Sequence, residues 1–180
     1  KLSGKRTVTV ITLESRLWPH RRIKSLRYID RWGLKRVIME VQKTALYNYH
    51  KNLGAKFVSF AGYEMPIQYK DGIVKEHIST RTYAGFFDVS HMGQFFLEGD
   101  KTLAVALEKI IPADLQSLKL NHSKYSFLLN SEGGIIDDLI ITKTPKGFCI
   151  ILNAACKDND VKQISQILDT KHKYLSLIHI

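Results

Sequence analysis

The sequence is short of cysteine, of long apolar runs and, over its first forty residues, of acids. Cys149 and Cys156 are its only cysteines, spaced C-x6-C, which excludes a disulfide-stapled fold and lacks the tight pairing of a zinc knuckle. Free thiols in a reducing compartment are the simplest account. No apolar stretch approaches the roughly 18 residues a membrane span requires. Acids are scarce where bases crowd: residues 1–40 carry 11 Lys and Arg against Glu14, Asp30 and Glu40, a net of +8. The remaining 140 residues hold 16 bases and 14 acids, a net of +2, so nearly all of the formal charge of +10 belongs to the N-terminal segment. A nucleic-acid-binding domain should carry its own basic face, and this distribution argues against one. The 44 % hydrophobic and 24 % charged content is that of an ordinary globular chain, and 180 residues suffice for one good core or two small lobes.

Residues 1–38 read as a basic extension, Arg-rich as organelle leaders are, although Thr7 to Thr12 has strand rather than helix character. Two origins are open: a targeting leader, or non-native sequence upstream of a start at Met39. From Lys43 the pattern is that of a folded domain. Thr44 to His50 predicts a short helix closed near Gly54, and Lys56 to Phe60 a strand, with Ala61 to Pro66 as a turn. Ile73, Val74, His77, Ile78 and Arg81 predict an amphipathic helix, and Phe86 to Val89 a strand. Gln94 to Glu98 is a further strand, followed by a helix with its stripe on Leu103, Ala106, Leu107, Ile110 and Ile111. Lys124 to Leu129, the run after Gly134, and Phe148 to Leu152 predict three antiparallel strands, the last two joined by Thr144-Pro145-Lys146-Gly147. A last helix capped near Asp158 carries Val161, Ile164, Ile167 and Leu168. The fold class is α+β, with mostly antiparallel sheets and flanking helices.

One stretch stands out: Asn130-Ser131-Glu132-Gly133-Gly134-Ile135-Ile136-Asp137-Asp138-Leu139-Ile140-Ile141. A turn feeds an apolar, β-branched run, and two adjacent acids interrupt it. Alternation puts Asp137 on one face with Ile135, Leu139 and Ile141, and Asp138 on the other with Ile136, Ile140 and Thr142. A carboxylate among aliphatic neighbours needs a partner or a shifted pKa. Either a bulge or sheet edge lets both acids reach water, or one of them is functional. The competing constellations are weak. Ser90 and His91 are adjacent and point apart in a strand, and there is no G-x-S-x-G elbow. His50, His77, His91 and His122 have no metal-ligand spacing. Gly133-Gly134 leads into a strand and lacks the frame of a phosphate loop. Tyr63, Tyr69 and Tyr125 offer faces for a flat heterocycle, a role that ordinary strand packing equally explains.

Taken together, Lys43 to Tyr47, Gly54 to Pro66 with Phe60-Ala61-Gly62-Tyr63-Glu64-Met65-Pro66, Phe87-Asp88-Val89-Ser90-His91-Met92-Gly93-Gln94, Tyr125-Ser126, Gly133 to Leu139 and Asn153-Ala154-Ala155 resemble the N-terminal part of the T-protein (aminomethyltransferase) family of the glycine cleavage system. The resemblance runs from about residue 43 to about 168. It implies residues 39–170 as the N-terminal part of the folate-binding region, with residues 171–180 a tail of doubtful origin. It also implies a tetrahydrofolate-dependent transferase that takes the one-carbon unit from the aminomethyl-lipoyl arm of H-protein, releases ammonia and forms 5,10-methylenetetrahydrofolate. In this family the second acid of the G-G-I-[IV]-D-D-L motif matters most, which assigns the catalytic role to Asp138. Met92 and Tyr125 fall on positions that line the folate pocket, and Asn153 on a polar pocket position. Asp88, Ser90 and His91 would order a turn. Tetrahydrofolate as co-substrate and lipoylated H-protein as partner follow, with no nucleic acid, membrane or metal. Family members are roughly twice as long, so the chain reads as a fragment. The other reading in view is a non-catalytic folate-binding protein of the same fold. A start at Met39 favours bacterial cytoplasm; a genuine leader favours the mitochondrial matrix.

Overall fold

The computed structural model describes residues 26–29, 35–38, 41–168 and 173–176. The basic segment 1–38 therefore lies mostly outside the described residues, as do the proposed strand at Thr7 to Thr12 and most of the tail 171–180. The chain divides into two units, residues 1–91 with Ile180, and Met92–His179.

In the first unit β1 (Leu26–Ile29) and β2 (Lys35–Ile38) pair antiparallel, Leu26 opposite Ile38. A second, three-stranded sheet is built from β3 (Gln42–Lys43), β4 (Lys56–Phe60) and β5 (Tyr63–Gln68) in the order β3-β5-β4. Helix α1 (Tyr47–Asn52) lies between β3 and β4, and Gly54 follows it with φ +77°. The expected turn over Ala61 to Pro66 is shorter than the composition indicates. Ala61 (φ +49°) and Gly62 (φ +81°) make the reversal by themselves, and Tyr63 to Pro66 continue as strand. Proline is tolerated in β5 because β3 pairs only with Tyr63 and Glu64, which leaves Pro66 at an open edge on that side. Helix α2 (Ile73–Thr82) forms as its spacing predicts, but none of its residues is buried, and Val74 is 73 % exposed. The strand expected over Phe86 to Val89 is absent; this stretch is irregular, with Phe86 and Phe87 exposed.

The second unit is a five-stranded sheet in the order β10-β6-β9-β8-β7, antiparallel throughout. Its strands are β6 (Gly93–Glu98), β7 (Ser123–Leu129), β8 (Ile135–Thr144), β9 (Gly147–Leu152) and β10 (Lys173–Ser176). Strict alternation gives each central strand one apolar face: Phe95 and Leu97, Leu139 and Ile141, and Phe148, Ile150 and Leu152 are all buried. Helix α3 (Lys101–Leu107) sets Leu103 and Leu107 against that face, and α4 (Lys157–Ser165) adds Ile164. The Asp100 carboxylate caps α3 by accepting from the Thr102 amide at 2.8 Å. The N-cap of α4 is Cys156, two residues before Asp158, and the Asn153 carbonyl accepts from the Cys156 and Lys157 amides at 3.2 and 3.0 Å.

The β8–β9 hairpin turns on Pro145-Lys146, with Thr144 opposite Gly147. Gly147 has φ +154°, and a β-carbon there would stand 2.1 Å from the Leu97 carbonyl oxygen of β6. A Gly147→Ala substitution combines backbone strain with a backbone clash and should cost about 2–4 kcal/mol. Denaturant melts read this directly; a loss below about 0.5 kcal/mol would mean that β6 and β9 do not approach so closely.

Candidate functional site

The site begins with a turn. Asn130 Oδ1 accepts from the amides of Glu132 (3.0 Å) and Gly134 (2.7 Å), and Gly133 takes φ +80° to close the loop. The chain then enters β8 through a bulge. Leu129 stands opposite Ile135 but Leu128 opposite Asp137, so Ile136 is the extra residue. The bulge reverses the expected facing of the two isoleucines: Ile136 packs against the core and Ile135 is 65 % exposed. Regular alternation resumes at Asp137, which falls on the core side with Leu139 and Ile141. Asp138 falls on the outer side, with the exposed Ile140 and, across the strand pair, Phe127.

β9 pairs with β8 only as far as Leu152 opposite Leu139, so both acids lie just beyond its end. Asn153 is the next residue. Its Nδ2 donates to Asp137 Oδ1 at 3.0 Å, to Asp138 Oδ1 at 2.9 Å and to the Asp138 carbonyl at 3.2 Å. An amide nitrogen has two hydrogens, so the third contact is shared; the two carboxylate bonds are charge-assisted and the stronger. On β7, Tyr125 lies opposite Ile140, one pair along from Asp138, and its hydroxyl is near enough to feel that carboxyl. Desolvation, reinforced by Asp138 and Asp137, raises the tyrosine's pKa. Tyr125 and Phe127 meet edge to face at 5.7 Å on the same outer face. Met92 directly precedes Gly93, which pairs with Leu152, so Met92 and Asn153 are the next residues of β6 and β9 at this end of the sheet.

The four residues expected at the site thus lie in, or one residue beyond, four neighbouring strands, β6, β9, β8 and β7. Asn153 and Asp138 are joined by a hydrogen bond, Tyr125 stands beside Asp138 on the next strand, and Met92 shares only the sheet end. Sequence reasoning passed over three neighbours: Phe127, Cys156 and Asp160. The last had a signal. Asp160 precedes Ile164 by four residues and Ile167 by seven, which puts an acid on the apolar stripe of its helix. It is fully buried, with Asp137 and Asp138 of β8 acting on it. Burial first, then the neighbouring Asp137 and Asp138 carboxyls, push its pKa up to about 7. Burial likewise pushes the Cys149 thiol up to about 11 and raises Cys156, so neither thiol is an activated nucleophile.

A second polar cluster occupies the first unit. His50 Nε2 is 2.9 Å from Asp88 Oδ2, and its Nδ1 is 2.7 Å from the Tyr69 hydroxyl. The other Asp88 oxygen accepts from the Ser90 amide at 2.9 Å and hydroxyl at 2.6 Å. Burial works to raise Asp88, but the bonds from Ser90 and His50 outweigh it and hold the carboxyl below its usual value. With Asp88 ionised, the ring nitrogen facing it, Nε2, is the donor. Ser90 donates to the aspartate and not to a histidine, which is the geometry of a tie holding a turn.

Comparison with known proteins agrees with this architecture. The family model described as GCVT N-terminal domain matches residues 46–178. The mitochondrial aminomethyltransferase of Dictyostelium discoideum is 48 % identical over 127 residues, covering 71 % of this chain and 31 % of that protein. The aminomethyltransferase of Flavobacterium psychrophilum is 47 % identical over 126 residues, covering 69 % and 34 %. Among solved structures, glycine cleavage system aminomethyltransferase T from Bartonella henselae superposes with a TM-score of 0.71 at 37 % identity, covering 77 % of this chain and 38 % of that one. The fold is an α+β domain of the T-protein type, and the chain belongs to the GCVT N-terminal domain family. It spans about a third of the length of the curated relatives it matches. Those relatives include mitochondrial and bacterial proteins, and among the described residues no helix is long and apolar enough to cross a membrane.

Asp88 gives this subsection its prediction. Because its folded pKa is lowered, the stability it contributes is complete above about pH 4 and is lost as pH falls through the folded value. Asp88→Asn should lower stability at pH 7 by about 1–3 kcal/mol, with the difference from the parent protein shrinking in acid. Thermal melts across that pH range would show it; a pH-independent gap would contradict it.

Proposed function

We propose that the protein is a tetrahydrofolate-dependent aminomethyltransferase of the glycine cleavage system and that this chain supplies the N-terminal part of its folate site. In this reading the one-carbon unit passes from the aminomethyl-lipoyl arm of H-protein to tetrahydrofolate with release of ammonia. Family membership supports the reaction class. The observation that carries the site assignment is the Asp138 carboxylate, held by the Asn153 amide on the half-open outer face of the sheet with Tyr125 beside it on β7.

The groups present fit a reduced pterin. A fixed carboxylate accepts from ring N–H groups, and the Tyr125–Phe127 pair offers an aromatic face for stacking. Tetrahydrofolate, when bound, supplies the nitrogens that accept the carbon. Asp138 orients them and stabilises positive charge developing on nitrogen during transfer, an effect strengthened by the low dielectric of an apolar sheet face. Asn153 fixes the carboxylate's direction in advance. Tyr125 supports it from the neighbouring strand, Met92 lines the pocket from β6, and Asp137 faces away and is structural. A genuine basic leader favours the mitochondrial matrix, and a start at Met39 favours bacterial cytoplasm.

In the full-length protein Asp138→Asn should reduce ammonia release from aminomethylated H-protein by about a hundredfold or more, and Asp137→Asn by much less. Equal losses would contradict the division of roles. Titration calorimetry with tetrahydrofolate that showed no heat beyond dilution would overturn the functional reading itself.

A further inference from the structure

Asp160 takes no part in the mechanism above, yet it is 0 % exposed and lies under the residues that do. Cys156, the N-cap of α4, and Asp160 are one helical turn apart, and both are near enough to the Asp137 carboxyl to be coupled to it. Both Asp160 oxygens and Asp137 Oδ2 are shut off from solvent and receive no N–H or O–H donor from another residue. Two carboxyls in this position bond each other only if one of them carries a proton. The other Asp137 oxygen is already taken by Asn153 Nδ2, which also holds Asp138. A continuous chain therefore runs from Asp160 through Asp137 and Asn153 to the outer-face acid.

We infer that Asp160 is a positioning residue: it holds the one proton of a buried acid pair with Asp137, and that proton fixes Asn153 and, through it, Asp138. The groups facing Asp160 are Asp137 and Asp138 on β8 and Cys156 on its own helix. While the proton is present, Asp160 donates to Asp137 and the cluster carries one charge fewer. Once it leaves, Asp160 and Asp137 both present lone pairs to each other, with Asp138 adding a further negative charge nearby. The pair must then separate, and Asn153 loses its fixed anchor on Asp137. Burial and the two neighbouring acids push the Asp160 pKa up to about 7, which places the loss of the proton near neutral pH.

The effect on folate rests on the proposed function; the proton itself does not. The experiment is a pH titration of the full-length protein by NMR, following the Asp160 carboxyl carbon and the Asn153 side-chain amide, alongside tetrahydrofolate affinity. The expected result is that both resonances move with one midpoint near pH 7, and that affinity weakens by about tenfold between about pH 6 and pH 9. Asp160→Asn keeps a permanent donor to Asp137, so its Asn153 resonance and its affinity should both stay flat over that range. Asp137→Asn removes the partner and should bring the Asp160 midpoint down by about one unit or more. An Asp160 midpoint in the ordinary carboxyl range near about 4, or an Asn153 amide that ignores the Asp160 titration, overturns the inference. Absence of folate binding at every pH overturns the functional reading alone, because the two resonances still report on the proton.

Discussion

Much of the candidate site depends on a single side-chain amide. β9 ends one residue before two acids that β8 still carries, and the strand end leaves those carboxylates without a backbone neighbour on that side. Asn153 Nδ2 fills the gap by donating to Asp137 Oδ1 and Asp138 Oδ1 at once. Two like charges on adjacent residues would otherwise repel, and a carboxylate left half-buried without a donor costs about 1–3 kcal/mol or more. Because the two side chains leave the strand on opposite faces, the amide joins the core side of the sheet to its outer side. One acid is thereby anchored inward while the other is presented outward with a defined direction.

The β-strand pattern was largely legible because each central strand of the second unit has one buried face, and burial imposes a period of two. Spacing alone grouped Leu139 with Ile141 on one face of the strand, while which face is inward stayed open until the structure buried that pair. The acid pair was visible for the same reason, as an interruption of that period. Its resolution was not visible. The bulge at Ile136 depends on how the Asn130 turn meets β7, and register is a property of two strands rather than one. The same limit hid Pro66, which looked like a turn residue until β3 proved too short to need its missing amide. In α2 the helical period was correct but said nothing about a partner, and Val74 and Ile78 are exposed. The strand drawn over Phe86 to Val89 failed because β-propensity does not supply a pairing partner. Asp160 was passed over because a lone acid on a helix is ordinary until the opposite face is known to be another acid.

Two aspartates, one in each unit, stand in contrast. Asp88 is enclosed by Ser90 and His50 and sits below its usual pKa, an ionised knot that stabilises a turn where no strand forms. Asp138 is held from one side by Asn153 and stays on a face that includes the exposed Tyr125, Phe127 and Ile140. An acid with spent bonding capacity belongs to the scaffold; an acid with direction and open lone pairs is equipped to meet a ligand. The curated relatives are about three times the length of the stretch they share with this chain.

The central claim is that Asn153 acts on folate through Asp138 and not as an independent contact. A double-mutant cycle on tetrahydrofolate affinity in the full-length protein, combining Asn153→Ala with Asp138→Asn, tests it most directly. A coupling energy of about 1–3 kcal/mol is the predicted result, because once Asp138 has lost its charge the amide has little left to orient. Effects that add to within about 0.5 kcal/mol would contradict the account.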